Sequence, residues 1–381
     1  MTTTAATRVT EYTASAPVLH LAFELGQAQW KLGFTTGLGQ RPRERTIAAR
    51  DLPALEQEIA RAQARFGLPA AAPVVSCYEA GRDGFWLHRY LVAQGVGNHV
   101  VDSASIEVNR RRRRAKSDRL DVGKLLLQLV RYRAGERKAL RVVHVPTVAE
   151  EDQRQLHREL LTAKRDRARV TNRMKGLLAN QGVVVDLGAG VLEELDGLRR
   201  WDGTALPVGL RARLGREWAK VELFTGQIQE LDGERAERLR SGTEPAVELV
   251  RRLLRLRGIG TNSAWLYVME FFGWRQFRNR REVGGLAGLT PTPYQSGELS
   301  REQGIAKAGK RYIRAMAIEI AWGWLRFQPA SALSQWYQAR FGQGSSRIRR
   351  IGIVALARRL LVALWRYLAT GAIPEGAVLK A

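Results

Sequence analysis

What most constrains the fold of this chain is a change of hydrophobic period at Thr147. Before it, apolar residues alternate or come in short β-prone runs, "VLHLAFELGQAQWKLGFTT", "AAPVVSCYEAG" and "GNHVVDS". Between these strand candidates, 52 to 66 and 85 to 94 read as helices, so the alternation of strand and helix predicts an α/β unit over about 17 to 140. After it, a capping box from Thr147 to Glu150 opens a stretch in which Leu156, Leu160, Ala163, Val170, Met174 and Leu177 recur at heptad steps, broken by Arg167. A Gly- and Pro-containing stretch at 182 to 209 interrupts it, and Leu210, Leu214, Val221, Phe224, Ile228 and Leu231 resume the pattern. Two such helices over 147 to 240 predict a hairpin, a coiled coil between chains, or two helices packed on their own domain. A third, mainly helical unit is expected at 245 to 345, and an amphipathic helix and tail at 347 to 381. The Thr- and Ala-rich residues 1 to 16 read as a disordered lead.

Charge narrows the partners. The chain has 62 Lys and Arg against 37 Asp and Glu, a formal net charge of +25, which favours a polyanion and nucleic acid first. No apolar run approaches the roughly 20 residues of a spanning helix. The apolar segment near the end is cut by Arg358, Arg359 and Arg366, so no membrane partner is expected. The first residues resemble no signal peptide, and Cys77 is the only cysteine, which fits a cytoplasmic protein without internal disulfides.

Acids at strand ends suggest metal chemistry. Five arginines, Arg110, Arg111, Arg112, Arg113 and Arg114, run through Lys116 into Asp118 and Asp121, whose spacing of three puts two carboxylates on one helix face. Glu79 follows the apolar run "PVVSCY", and Glu24 interrupts the β-prone "LHLAFELG", where an unpaired acid is costly. Four carboxylates of this kind suit two Mg²⁺ ions in phosphoryl transfer. Asp102, after "NHVV", is a rival for the same site, and Asp83 reads as a helix N-cap. With five His and one Cys, zinc has little to bind. The arginines connect a strand to the acid-bearing helix, and cations there can hold phosphates that the acids alone would repel.

A second constellation lies in "PTPYQSGELS". Two prolines stiffen the approach to Ser296, and Gly297 lets the backbone come close to a substrate. Ser300 is the near alternative and Ser263 a weaker one. In "AKAGKRYIRAMA", Lys307, Arg311 and Arg314 recur at helical spacing with Lys310 beside them, which predicts a cationic face for phosphate. A serine attacks only after losing its proton, and no histidine is near it in sequence. Gly258 and Gly260 precede a helix candidate, where exposed backbone N–H groups could cradle a phosphate. Trp265, Trp274, Trp322, Trp324, Trp336 and Trp365 could stack on unpaired bases; Trp322 and Trp324, two apart, cannot share one helix face, and most of the rest are assigned to packing.

These stretches together, with "LHLAFELGQAQWKLGF", "SCYEAGRDGFWLHRYL", "RRRRAKSDRLDVGKL", "LRGIGTNSAWLY" and "LAGLTPTPYQSGELSREQGIAKAGKRYIR", resemble a known family over nearly the full length. The chain is similar to the DEDD transposases of bacterial insertion sequences that carry a second, serine-containing domain, recombinases guided by a bridge RNA. The resemblance implies an α/β RNase H-like (RuvC-like) N-terminal domain, then a helical coiled-coil segment and a mainly α-helical C-terminal serine domain. The family's four acids fall on Glu24, Glu79, Asp118 and Asp121; its usual first residue is Asp, and Glu24 is one methylene longer. Its serine falls on Ser296, which would form a composite active site with the acids and become covalently linked to DNA. Implied partners are magnesium, DNA ends and target, a guide RNA, and further copies of the chain in a dimer or tetramer. Two other readings stay open: a RuvC-like nuclease that hydrolyses junctions with water, and a decayed transposase that only binds nucleic acid.

Overall fold

The computed structural model describes residues 17–106, 118–188, 196–296 and 299–380, side chains excepted at 104, 118–121 and 294–303. The chain forms two compact units, residues 1–145 and 146–381. Among the described residues, no helix is long and apolar enough to cross a membrane.

The first unit is built on a five-stranded sheet. Its strands are β1 (Leu19–Leu25), β2 (Gln29–Thr35), β3 (Arg43–Ala48), β4 (Val74–Glu79) and β5 (Gly97–Val101), in the order β3-β2-β1-β4-β5. β1, β2 and β3 form an antiparallel meander, whereas β4 and β5 run parallel to β1. The helices are α1 (Leu52–Arg65), α2 (Trp86–Ala93) and α3 (Asp118–Arg133). Asp51 starts α1 by accepting the Ala54 N–H at 3.0 Å. Period-two alternation sorts β1 into two faces. Leu19, Leu21 and Phe23 pack in one core with Leu55 of α1 and Leu87 and Leu91 of α2. Ala22, with Val75 and Cys77 of β4, packs in the other with Leu125, Leu126 and Leu129 of α3. Burial pushes the Cys77 thiol up, so this cysteine is core rather than reactive. Asp83 does not cap α2, whose N-cap is Phe85; its carboxylate instead meets Arg50 at 3.2 Å and Arg82 at 3.4 Å.

Among the described residues, the named elements of the second unit are helices except for one hairpin. The Thr147–Glu150 capping box is present, but it starts only the short α4 (Val148–Asp152), after which α5 (Gln155–Ala179) carries the first heptad run. α6 (Val208–Ser241) carries the second and packs along α5. Of the seam residues, Leu156, Leu160, Ala163, Val170, Met174, Leu214, Val221, Ile228 and Leu231 are buried within this chain. The two helices thus form a hairpin, and a coiled coil between chains would have to use other faces. Then follow α7 (Pro245–Leu254), α8 (Thr261–Tyr267), a π-helical turn (Val268–Phe272), α9 (Arg280–Leu286), β6 (Pro291–Ser296), β7 (Leu299–Ile305), α10 (Arg311–Phe327), α11 (Ala332–Tyr337) and α12 (Ser346–Thr370). Leu156, Leu160, Ile228 and Leu231 share one core with Trp265, Phe271, Trp324, Leu356 and Leu360, so the proximal half of the helical hairpin and the segment after 245 fold together. Trp324 is fully buried while Trp322 is 48% exposed, as opposite faces of one helix require.

Candidate active site

Glu24 and Glu79 stand on neighbouring strands at matching heights. Phe23 is paired with Tyr78 in the parallel register of β1 and β4, which sets the next residues, Glu24 and Glu79, side by side at the strand ends. By alternation Glu24 shares the face of Ala22, and Glu79 that of Val75 and Cys77, the face covered by α3. Glu79 is exposed and Glu24 half-buried. α3 runs antiparallel to β1. Arg133 at its C-terminus is close enough to His20 to help burial lower the imidazole's pKa, and Val122 at its start packs on Gly33, which pairs with Ala22. A Cβ on Gly33 would lie 2.8 Å from a Val122 methyl, so the glycine admits the helix this closely. The first turn of α3, which contains Asp118 and Asp121, therefore lies toward the same end of β1 as Glu24.

The side chains of Asp118 and Asp121 lie outside the described residues, as do Arg110, Arg111, Arg112, Arg113, Arg114 and Lys116. Among the described residues, no group of three or more His, Cys, Asp or Glu could hold a metal ion. The donors that the described part does contribute, two carboxylates, are hard oxygen ligands of the kind magnesium takes. The rival Asp102 follows β5 and meets Arg141 at 3.6 Å.

Ser296 is not in an irregular loop. It closes β6, paired with Leu299, and Ser300 is paired with Gln295 in the same hairpin; their side chains lie outside the described residues. Ser263 is nearly buried and donates to the Gly260 carbonyl at 2.9 Å, a local cap rather than a nucleophile's setting. The Gly260 N–H in turn donates to Ser263 Oγ at 3.2 Å, so it is not directed at a phosphate. Gly258 adopts φ +89, with Phe327 only 3.1 Å from where a Cβ would stand, and both facts demand glycine. A cleft of about 780 Å³ beside these glycines is lined by Asp232 and Glu319 as well as Lys164 and Arg235.

The expected cationic face does not form on one helix. Lys307 precedes α10 with φ 54, between the turning glycines Gly304 and Gly309, and its carbonyl accepts from Arg314 at 3.1 Å. Arg311 is exposed on the first turn of α10, and Lys310 points elsewhere, as its partners below show.

Comparison with known proteins decides the family. The sequence profile of the IS116/IS110/IS902 transposase family matches residues 250–337. A protein of Sinorhizobium fredii named as a transposase, y4rJ, is 40% identical over 380 residues, covering 95% of this chain and 94% of its own length. The chain belongs to the IS116/IS110/IS902 family of transposases. A transposase for insertion sequence element IS1328 of Yersinia enterocolitica is 28% identical over 229 residues, 58% of this chain and 65% of its own. The reaction of this transposase is DNA transposition, and its substrate is DNA.

Around Glu270, within the matched segment, the transposase holds a charge cluster that sequence reasoning missed. Glu270, in the π-helical turn, is 2% exposed. It accepts from Arg158 Nη2 at 3.1 Å, from Lys310 Nζ at 3.2 Å, from Tyr312 Oη at 3.3 Å and from Arg154 Nη2 at 3.4 Å; Arg158 Nε donates as well. Burial works to raise this carboxyl, but the Arg158 hydrogen bonds and the charges of Lys310 and Arg154 overcome it and hold the group at about 2. Burial, with the charge of Arg275, brings Lys310 down to about 8. Trp274 lies under Arg275 at 3.9 Å and Arg154 at 4.9 Å. The cluster ties the start of α5 and the π-helical turn to the start of α10, just after the Ser296 hairpin. In sequence, Glu270 shows only as one acid within "YVMEFF", and its partners are 40 to 116 residues away.

Proposed function

We propose that this transposase excises and inserts its element through a serine–DNA intermediate, with magnesium held by carboxylates and a guide RNA choosing the sites. On this reading the first unit is a RuvC-like, RNase H-like domain, α5 and α6 are the coiled-coil segment, and the remainder is the serine domain. The observation that carries it is the pairing of Glu24 and Glu79 at the ends of β1 and β4, on the face toward which α3 brings Asp118 and Asp121. Bound magnesium would neutralise charge on the scissile phosphate and on the leaving oxygen. The residues do the rest. Ser296 Oγ bonds to phosphorus as the P–O bond to the neighbouring nucleotide breaks, leaving one DNA end on the serine and a free hydroxyl on the other. The serine proton passes to a base that is not a neighbour in sequence, since no histidine occurs after His157. Attack by another DNA hydroxyl on the serine ester then joins the new strands and frees Ser296.

Strand exchange of this kind uses several serines, hence several copies of the chain. Val184 and Trp201, in the connection between α5 and α6, and Leu223 on α6 are exposed apolar side chains that contacts between copies would cover. The net charge of +25 suits simultaneous binding of DNA and RNA in the cytoplasm.

Reconstitution tests the reading. RNA that co-purifies with the protein is sequenced, then returned with donor and target DNA and magnesium. Recombinant product is expected, with none under chelation or without the RNA. Full product in the absence of RNA would show that no guide RNA chooses the sites.

A further inference from the structure

The second unit contains a groove of about 1120 Å³ whose chemistry neither the carboxylates nor Ser296 use. One wall is α12, which contributes Arg347, Arg350, Arg358, Arg359 and Arg366; α9 adds Arg280 and Arg281 opposite. Glu375 is the single acid in the lining. Among the described residues none of these seven guanidinium groups meets a carboxylate within 4.0 Å, whereas elsewhere in the unit Arg158, Arg173, Arg235 and Arg251 all do. Guanidinium groups gathered around one groove without carboxylate partners give it a positive field that favours an anion from outside.

Between the arginines the lining is apolar, with Trp336, Ile351, Val354 and Val362. Arg359 already stacks on the Trp336 ring at 3.9 Å. Ile351 is 56% exposed, a large aliphatic side chain left uncovered beside arginines on the same helix. A duplex presents phosphates and sugars on its outside and would leave such a lining unmatched. A single strand presents both phosphates and unpaired bases, which stack on aromatic and apolar side chains. Arg350, Arg358 and Arg366 all line the groove and lie about 12 Å apart along the helix axis, so the cationic lining is extended rather than a point site.

We propose that this groove binds a single strand of DNA, with phosphates on the arginines and unpaired bases on the apolar lining. Pro291 of β6 and Gly304 and Ile305 of β7 form part of the lining, so the strand runs onto the base of the hairpin that ends at Ser296. From Pro291 to Ser296 is about 17 Å of extended chain. The groove thus serves to hold the strand opened for cleavage. This rests on the chain being a DNA transposase, not on serine chemistry or on the metal.

Binding is measured on the full-length protein without magnesium, by fluorescence anisotropy, with a short labelled DNA strand, its duplex, and an RNA strand of the same sequence. The DNA strand is expected to bind more tightly than the duplex. The double variant Arg350→Glu/Arg366→Glu should weaken the strand at least tenfold and reduce the slope of log K against log salt by about 1.4, two single-strand phosphate contacts. Ile351→Asp, at an exposed site, should weaken the strand and leave the duplex unchanged. Unchanged strand affinity in both variants, or RNA bound in preference to DNA, overturns the proposal. So does a change of oligomeric state with DNA binding intact, which would make the groove a contact between copies. Because no cleavage is read, failure here is distinguishable from failure of the serine mechanism.

Discussion

Asp121→Asn is expected to slow magnesium-dependent strand cleavage about 10³-fold while leaving DNA binding intact. Exchanging carboxylate for amide keeps size and shape but removes the negative charge that draws a divalent cation. Glu79→Gln should behave alike, because Glu79 is exposed at a strand end, where exchanging carboxylate for amide leaves no group newly buried. Loss of one anion from a site that must also admit DNA phosphate leaves binding equal or tighter. Glu24 adds a finer test. Glu24→Gln should lose cleavage, whereas Glu24→Asp should keep it, since a carboxylate remains on the same face of β1 beside Glu79. Cleavage rates come from single-turnover assays across a magnesium titration, and binding from anisotropy with the same DNA. Wild-type cleavage by Asp121→Asn would remove that residue from the chemistry.

The second large effect concerns stability. Glu270→Gln should destabilise the second unit by about 3 kcal/mol, because Arg154 remains nearly buried and Arg158 and Lys310 lose the anion that gathers them. For a unit of this size, that lowers Tm by about 10 °C. The pH dependence carries a sign that identifies the cause. The Glu270 carboxyl is held at about 2 against an ordinary 4.5, so its contribution is fully present above pH 4.5 and is lost as pH falls toward 2. The gap between wild type and Glu270→Gln should therefore be widest above pH 4.5 and shrink below it. Calorimetry or thermal melts across that range read both quantities. A gap that does not change with pH would mean that shape at Glu270, rather than its charge, holds the cluster.

Local pattern made much of the fold legible. β1, β2, β4 and β5 follow apolar alternation or short apolar runs, and the heptad positions of α5 and α6 are mostly buried where the pattern puts them. β3 escaped because "RERTIA" reads as polar. It is an edge strand, where charge is tolerated and deters further pairing, and Arg43 is neutralised by the buried Glu58 of α1. The candidate site was legible in part for a similar reason. An acid inside a β-prone run is visible in sequence, so Glu24 and Glu79 could be found, and parallel pairing of β1 with β4 then sets them side by side. What was not legible depends on distant residues or on glycine geometry. Lys307 leaves the helical face because the chain turns through positive φ at Gly304, Lys307 itself and Gly309 before α10 begins. Lys310 reads as a phosphate-binding cation until Glu270, 40 residues earlier, is seen to accept from it. The arginine groove is assembled from α9 and α12, and neither helix alone shows that its charges face one space.

We propose that this transposase breaks DNA by joining it to Ser296. The most direct measurement is peptide mapping by mass spectrometry of the protein denatured during reaction with magnesium, guide RNA and DNA, then digested with protease and nuclease. A nucleotide remnant is expected on the peptide containing Ser296, and both the remnant and the product should be absent in Ser296→Ala. Recombination at the wild-type yield by Ser296→Ala, with no DNA-linked peptide in either protein, would contradict it and leave water or a DNA hydroxyl as the nucleophile.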